Sequence, residues 1–230
     1  MKRICMIVLM ALFCIGVCAQ EEEESKKKTT WYVKLGGTFA TLTGWEDEDI
    51  DNSSKMGYLV GIAFDRAVGT KGWFIGAGLQ LRSKGGKTES YWYQDVSDGG
   101  ASWTDREHND CTYNINTIEI PLYFGYKFHI TDNWSVDLRI GGFANYDLWG
   151  NMKKKTYGWY DGKSYDNGET KTNMGDWEDY DSYSAGALAG LGVWYKKFNL
   201  NLTYEFGLLE QFGEAGGKER NWLLTFGYAF

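Results

Sequence analysis

From Trp31 to Phe230 the apolar side chains recur at every second position rather than every third or fourth. That period limits the fold more than any other feature, because successive side chains of a strand point to opposite faces. Eight segments carry it, around 31–39, 58–64, 73–81, 118–128, 136–140, 183–195, 200–208 and 222–230. Strands of about ten residues in an even number match the strand length and count of bacterial outer-membrane barrels. The expected fold class is all-β: an eight-stranded, antiparallel, up-and-down transmembrane β-barrel.

Alternation alone does not say which face is outside. One face carries Trp, Phe, Leu, Ile and Val; the other is rich in Gly, Ala, Ser and Thr with a few charges. A soluble eight-stranded barrel would turn its apolar face inward. Its lumen is only wide enough to be filled by side chains, so bulky groups at every alternate position would overfill it. The bulky face therefore belongs against lipid. Trp31, Trp73, Phe128, Trp134, Tyr195 and Tyr228 fall near one set of strand ends, where an interfacial aromatic girdle belongs. The 30 Gly and the 17% of aromatic residues also argue against disorder, and no apolar run of 18 residues follows residue 20.

The start of the chain has the pattern of an export leader. Lys2 and Arg3 precede an apolar stretch from Ile4 to Val17, and Val17-Cys18-Ala19 supplies small residues for cleavage after Ala19. The expected organisation is a signal peptide at 1–19, a polar periplasmic segment at 20–30 and the barrel at 31–230. Phe13 and Val17 disfavour lipidation at Cys14 or Cys18, and cleavage leaves Cys111 as the lone thiol, unable to form an internal disulfide. The formal charge of −7 becomes −9 once Lys2 and Arg3 leave, a poor balance for binding nucleic acid. Connections alternate between tight turns at 67–72, 129–133 and 196–199 and longer stretches at 42–56, 84–113, 149–182 and 210–220. Net charges of −4, −3, −2 and −1 at 43–55, 84–112, 150–182 and 211–219 put the negative balance in those longer stretches. Short turns are periplasmic and long loops external in such barrels, which puts both mature termini in the periplasm.

Two further patterns agree. Tyr228 and the final Phe230 end an alternating aromatic strand, as in the signal read by the barrel-insertion machinery. Ile118-Glu119-Ile120-Pro121-Leu122-Tyr123-Phe124 resembles the "EIPL" strand of PorT-family small barrels of Bacteroidetes, OmpA/OmpX-like in architecture. Residues 185–195 and 204–208 resemble that family's sixth and seventh strands, with Ser184 near the place of its usual acidic residue. The resemblance implies an outer-membrane barrel and little chemistry. A few relatives take part in protein export, a role not carried over to this chain.

Candidate sites follow from the faces. Lys34, Asp65, Arg82, Glu119, Lys127, Asp137, Arg139 and Glu205 fall on the lumen face, where isolated charges are costly and should pair. They form an ion-paired plug, with a gated pore or proton path as the functional alternative. Pro121 lies inside a strand and suggests a bulge or local bend. The acidic run from Glu46 to Asp51 lacks the spacing of a calcium loop and reads as a solvated tip. Tyr91, Trp92, Tyr93 and Trp103 in one long loop, and Trp149, Tyr157, Trp159, Tyr160, Tyr165, Trp177 and Tyr180 in the other, suit protein or sugar recognition. The competing reading has these loops extend the barrel as hairpins, supported by turn signals at Asp98-Gly99, Asp161-Gly162 and Asn167-Gly168. Glu107, His108, Asp110 and Cys111 form the only cluster suggestive of enzyme chemistry, and their spacing matches no catalytic or metal motif. No cofactor, metal or catalytic residue is expected. The leading function is a monomeric, non-catalytic surface-structure or recognition protein, surrounded by outer-membrane lipid and lipopolysaccharide. A narrow transport or protein-export accessory barrel is the alternative.

Overall fold

The computed structural model describes residues 29–45, 50–69, 71–98, 101–160, 163–177, 180–213 and 216–230. The expected leader, most of the polar segment after it and most of the acidic tip at 46–51 lie outside these residues. The described chain is all-β. Its strands are β1 (Thr29–Trp45), β2 (Ile50–Ser53), β3 (Lys55–Ala67), β4 (Trp73–Asp98), β5 (Ala101–His129), β6 (Trp134–Tyr160), β7 (Lys163–Asn173), β8 (Tyr183–Tyr195), β9 (Phe198–Glu210) and β10 (Gly216–Ala229). A 3-10 turn spans Met174–Asp176.

Eight of the ten strands close a ring. Antiparallel pairing runs β1–β3–β4–β5–β6–β8–β9–β10, and β10 returns to β1 through partners from Tyr32↔Ala229 to Trp45↔Gly216. Closure leaves no sheet edge in the ring, which is what a strand needs where no water can satisfy its backbone. Each of the eight alternating segments of the sequence falls on one ring strand, with only Phe230 lying past the end of β10. Both ends of the ring sit at the short-turn end, where the Phe230 N–H donates to the Trp31 carbonyl at 3.0 Å.

The other two strands belong to a feature that the sequence reading divided among loops. β2 pairs with the distal part of β4, and β4 and β5 stay paired as far as Asp98↔Ala101. β5 pairs with β6 out to Arg106↔Trp159, and β7 folds back on β6 from Tyr160↔Lys163. The order β2–β4–β5–β6–β7 is thus a five-stranded wall rising from one side of the barrel. Within the described residues, 84–98, 101–113 and 149–160 are strand, the hairpin-extension alternative, while Gly99, Asp161 and Gly162 of the other two turn signals lie outside them. Asn167-Gly168 is not a hairpin turn: Gly168, at φ 71°, sits within β7 at a register shift, and its N–H donates to the Asp166 carboxylate. Pro121 makes no bulge either. It pairs in register with Phe143, and the β5–β6 register shift lies at Asn116/Thr117 instead. What Pro121 does is leave a two-residue gap in the β4–β5 ladder opposite Gly78 and Leu79, as a missing backbone donor requires.

Candidate functional site

Three regions carry the chemistry of this chain: the outward band, the lumen and the wall. On the band, Trp31, Leu35, Val60, Leu79, Leu122, Leu138, Leu200 and Leu224 point outward and are exposed, with no charged side chain among the outward positions from Trp134 to Tyr146 on β6. So large an exposed apolar surface belongs against another apolar phase. Trp134 stacks near Tyr195 (4.7 Å), and Tyr126 lies near Trp73 and Phe128 (4.8 and 4.6 Å), all at the short-turn end. Tyr58, Tyr146 and Tyr183 are exposed at the other end. At ~3.3 Å per residue and a strand tilt of ~40°, the steps from Trp134 to Tyr146 project to ~30 Å, the height of a bilayer's hydrocarbon core.

Inside, the lumen is filled in layers. At the long-loop end, Tyr113, Trp177, Tyr180 and Phe212 form an aromatic lid with ring centroids 4.9–5.9 Å apart. Trp177 is therefore half-buried packing over the barrel mouth, not part of an open recognition face. The Tyr180 hydroxyl donates to the Asp147 carboxylate beneath it. Burial and that carboxylate hold the Tyr180 phenol well above its ordinary range, while burial pushes the Tyr113 phenol up to about 12.

Below the lid lies a dense ionic layer. The Arg82 guanidinium meets Glu119, Glu205 and Glu219 at 2.6, 3.0 and 3.2 Å, with both the Arg82 and Glu119 side chains 0% exposed. The Lys84 ammonium meets Asp147 at 2.9 Å and Glu219 at 2.5 Å. Gln80, Asn145, Ser184 and Asn221 donate to the same carboxylates. Lys84, Asp147 and Glu219 were not among the eight lumen charges read from the sequence. They lie where strands run past their alternating segments, and only the β4–β5, β5–β6 and β10–β1 registers reveal that they point inward.

Nearer the short-turn end, a second layer is built on aromatics. Asp65 accepts from Tyr123 at 2.8 Å, the Tyr123 and Tyr32 hydroxyls lie 2.8 Å apart, and Arg139 pairs with Asp137 at 2.7 Å. The Trp194 indole N–H donates to Asp137, and Lys127 lies 3.9 Å from the centre of the Trp194 ring. Of the eight sequence-derived charges, Arg82, Glu119 and Glu205 thus meet in one layer and Arg139 and Asp137 in the other. Asp65 is held by tyrosines instead of a cation, and Lys127 by a ring face. Lys34 lines a cavity of about 20 Å³, and among the described residues no carboxylate lies within 4.0 Å of its ammonium. Such a cavity has room for about one water.

The lumen face is also less uniformly small than its composition suggests. Tyr32, Phe74, Tyr123, Phe143, Leu188 and Trp194 all point inward and are buried. They fit because glycines face them. A Cβ on Gly125 would stand 2.4 Å from the Phe74 ring, one on Gly76 2.2 Å from Tyr123, and one on Gly186 2.7 Å from Phe143. Pairing each large side chain with an absent one fills a narrow barrel without strain.

On the wall, both sheet faces are free of the barrel. The face continuous with the barrel exterior carries two cross-strand rows. In the nearer row, His108 lies between the rings of Tyr91 (4.2 Å) and Tyr157 (4.6 Å). In the farther row, Tyr93 (62% exposed) and Trp159 (46%) flank Arg106. Trp92 and Tyr160 are exposed on the opposite face. The Trp103 backbone lies in β5, and its side chain lies outside the described residues. Cys111 also belongs to the wall; burial pushes its thiol up, so it is not an activated nucleophile. Tyr228 and Phe230 are exposed beside the closing seam.

Solved structures similar to this chain include a surface protein, an attachment protein and an outer-membrane protein. Neisserial surface protein A is 10% identical, with a TM-score of 0.40 over 89% of this chain and 100% of that one. The attachment invasion locus protein Ail of Yersinia pestis is 14% identical, with a TM-score of 0.35 over 88% and 99%. OprG of Pseudomonas aeruginosa is 14% identical, with a TM-score of 0.37 over 89% and 97%. No curated protein matches the sequence. The family model described as outer membrane protein beta-barrel domain matches residues 18–213. A closed eight-stranded ring, an uncharged outward band and that match over most of its length make this chain a member of the outer-membrane β-barrel domain family.

Proposed function

We propose that this protein is a sealed, non-catalytic surface barrel of PorT type whose wall stands outside the cell as a recognition platform. The short turns and both mature termini then face the periplasm, after removal of residues 1–19. Lipid and lipopolysaccharide surround the band, and Tyr228 and Phe230 serve the insertion machinery. The observation that carries this reading is the contrast along β4 and β5, which leave a lumen packed with ion pairs and continue as a free-standing sheet. A filled lumen offers no aqueous path, so what this barrel presents is a surface. The row Tyr93–Arg106–Trp159 sets planar apolar rings beside a guanidinium, residue types that dominate recognition hot spots. The partner class is an extracellular protein or glycan bound by a monomer.

Whole-cell pull-down and glycan binding, with and without Tyr93→Ala and Trp159→Ala together, test the platform. Loss of binding in the double variant is expected, and binding equal to that of the native chain defeats the role. Planar-bilayer recording tests the seal. The pure protein is expected to show no steady conductance, and a large stable current would restore the transport alternative.

A further inference from the structure

We propose that the outward face of the wall binds a divalent transition-metal ion of the zinc class between Glu89, His108 and Asp110. The strand register assembles the site. Glu89 on β4 stands directly across from Asp110 on β5, and His108 precedes Asp110 by two residues on the same face. The ligand atoms of all three side chains lie within 4.8 Å of one another. Metal–ligand bonds of about 2.0–2.2 Å require donors roughly 3–4 Å apart, so small side-chain rotations bring all three onto one ion.

The surroundings favour a cation there. The His108 Nε2 and Asp110 Oδ1 atoms approach to 2.7 Å, an ion pair while the imidazole is protonated, and that oxygen is enclosed. A metal ion would take the place of the imidazole proton between these two ligand atoms. Lys155 stands directly across from Asp110 on β6, where it would be the natural counter-ion. Its ammonium instead lies 3.6 Å from Asp166 and over the Tyr157 ring. Asp51 of β2, in register with Glu89, adds negative charge to the same face.

The donors are also held in place. His108 is fixed between two tyrosine rings, and the Tyr91 hydroxyl donates to Glu89 at 3.3 Å, the kind of outer contact that orients a metal-binding carboxylate. One imidazole and two carboxylates suit zinc and its neighbours, whereas calcium and magnesium prefer all-oxygen shells. Three protein ligands leave a coordination position for water or for a partner's side chain. No sequence motif marks the site because its ligands come from two strands joined by a long hairpin.

Calorimetric titration of the untagged full chain in detergent, stripped of metal and titrated with zinc chloride near neutral pH, is the test. One ion per chain is expected, with affinity falling roughly tenfold or more for His108→Ala and for the exposed, fold-neutral Glu89→Gln. His129→Ala, at the far end of the barrel, is expected to bind as the native chain does. Absence of saturable binding at millimolar zinc overturns the proposal, as does unchanged affinity in both His108→Ala and Glu89→Gln. Tighter binding of calcium than of zinc overturns the assigned metal class.

Discussion

Strands β4 and β5 run through two environments, and the same hairpin obeys different rules in each. Between Trp73 and Lys84 one face of β4 meets the lumen and the other the lipid band, so inward residues such as Gln80, Arg82 and Lys84 are buried and bonded. Beyond Lys87 no barrel closes behind the strand. Charges there pair at the surface, as Lys153 does with Glu169 at 2.8 Å, with the two side chains 45% and 56% exposed. A buried charge without its partner is severely destabilising, whereas an exposed pair contributes little. Stability therefore resides in the ring, and the wall is free to carry chemistry.

The largest effect that would break this contrast is expected at Arg82. Arg82→Met leaves Glu119, Glu205 and Glu219 facing one another, and should cost about 3–5 kcal/mol in urea unfolding of the detergent-solubilised protein. A loss near zero would mean that the ionic layer does not hold the barrel together. Next comes Gly125→Ala, whose methyl group would meet the Phe74 ring and the Leu138 carbonyl, at a cost of about 1–3 kcal/mol. Combining it with Phe74→Ala should recover part of that loss, and strict additivity would show that the ring is not the obstacle.

Much of the ring was legible because lipid on one side and a narrow lumen on the other force the period of two. The wall was not legible for the same reason. Where water meets both faces, Glu89, Ser90, Tyr91 and Trp92 need no alternation, and a continuous strand reads as a polar loop. The lumen fillers were hidden differently. Phe74 sits between Trp73 and Ile75, and Trp194 between Val193 and Tyr195, so an inward aromatic is masked by outward apolar neighbours. Lys84 fell at the start of the long connection 84–113, where Gly85 and Gly86 follow it. The structure instead keeps those glycines in the strand, Gly85 at φ 138° and Gly86 packed against Leu42.

The smaller effects sharpen the contrast from the wall side. Cys111 should react with maleimide more slowly in the folded chain than in urea at a given pH, because burial raises its thiol pKa and thins the thiolate. Equal rates would mean that the thiol is not shielded. Smallest of all, Lys153→Ala with Glu169→Ala should change stability by less than about 0.5 kcal/mol, measured by the same unfolding assay. A loss of several kcal/mol would erase the distinction between ring and wall.

The bulge in β7 has a consequence for crowded membranes. β7 ends the wall, and a flat outer strand would invite another copy to zip onto its unpaired backbone. Gly168 kinks that margin, while Lys163, Glu169 and Lys171 stud it with charge. A kinked, ionic selvedge of this kind is a poor template for edge-to-edge pairing.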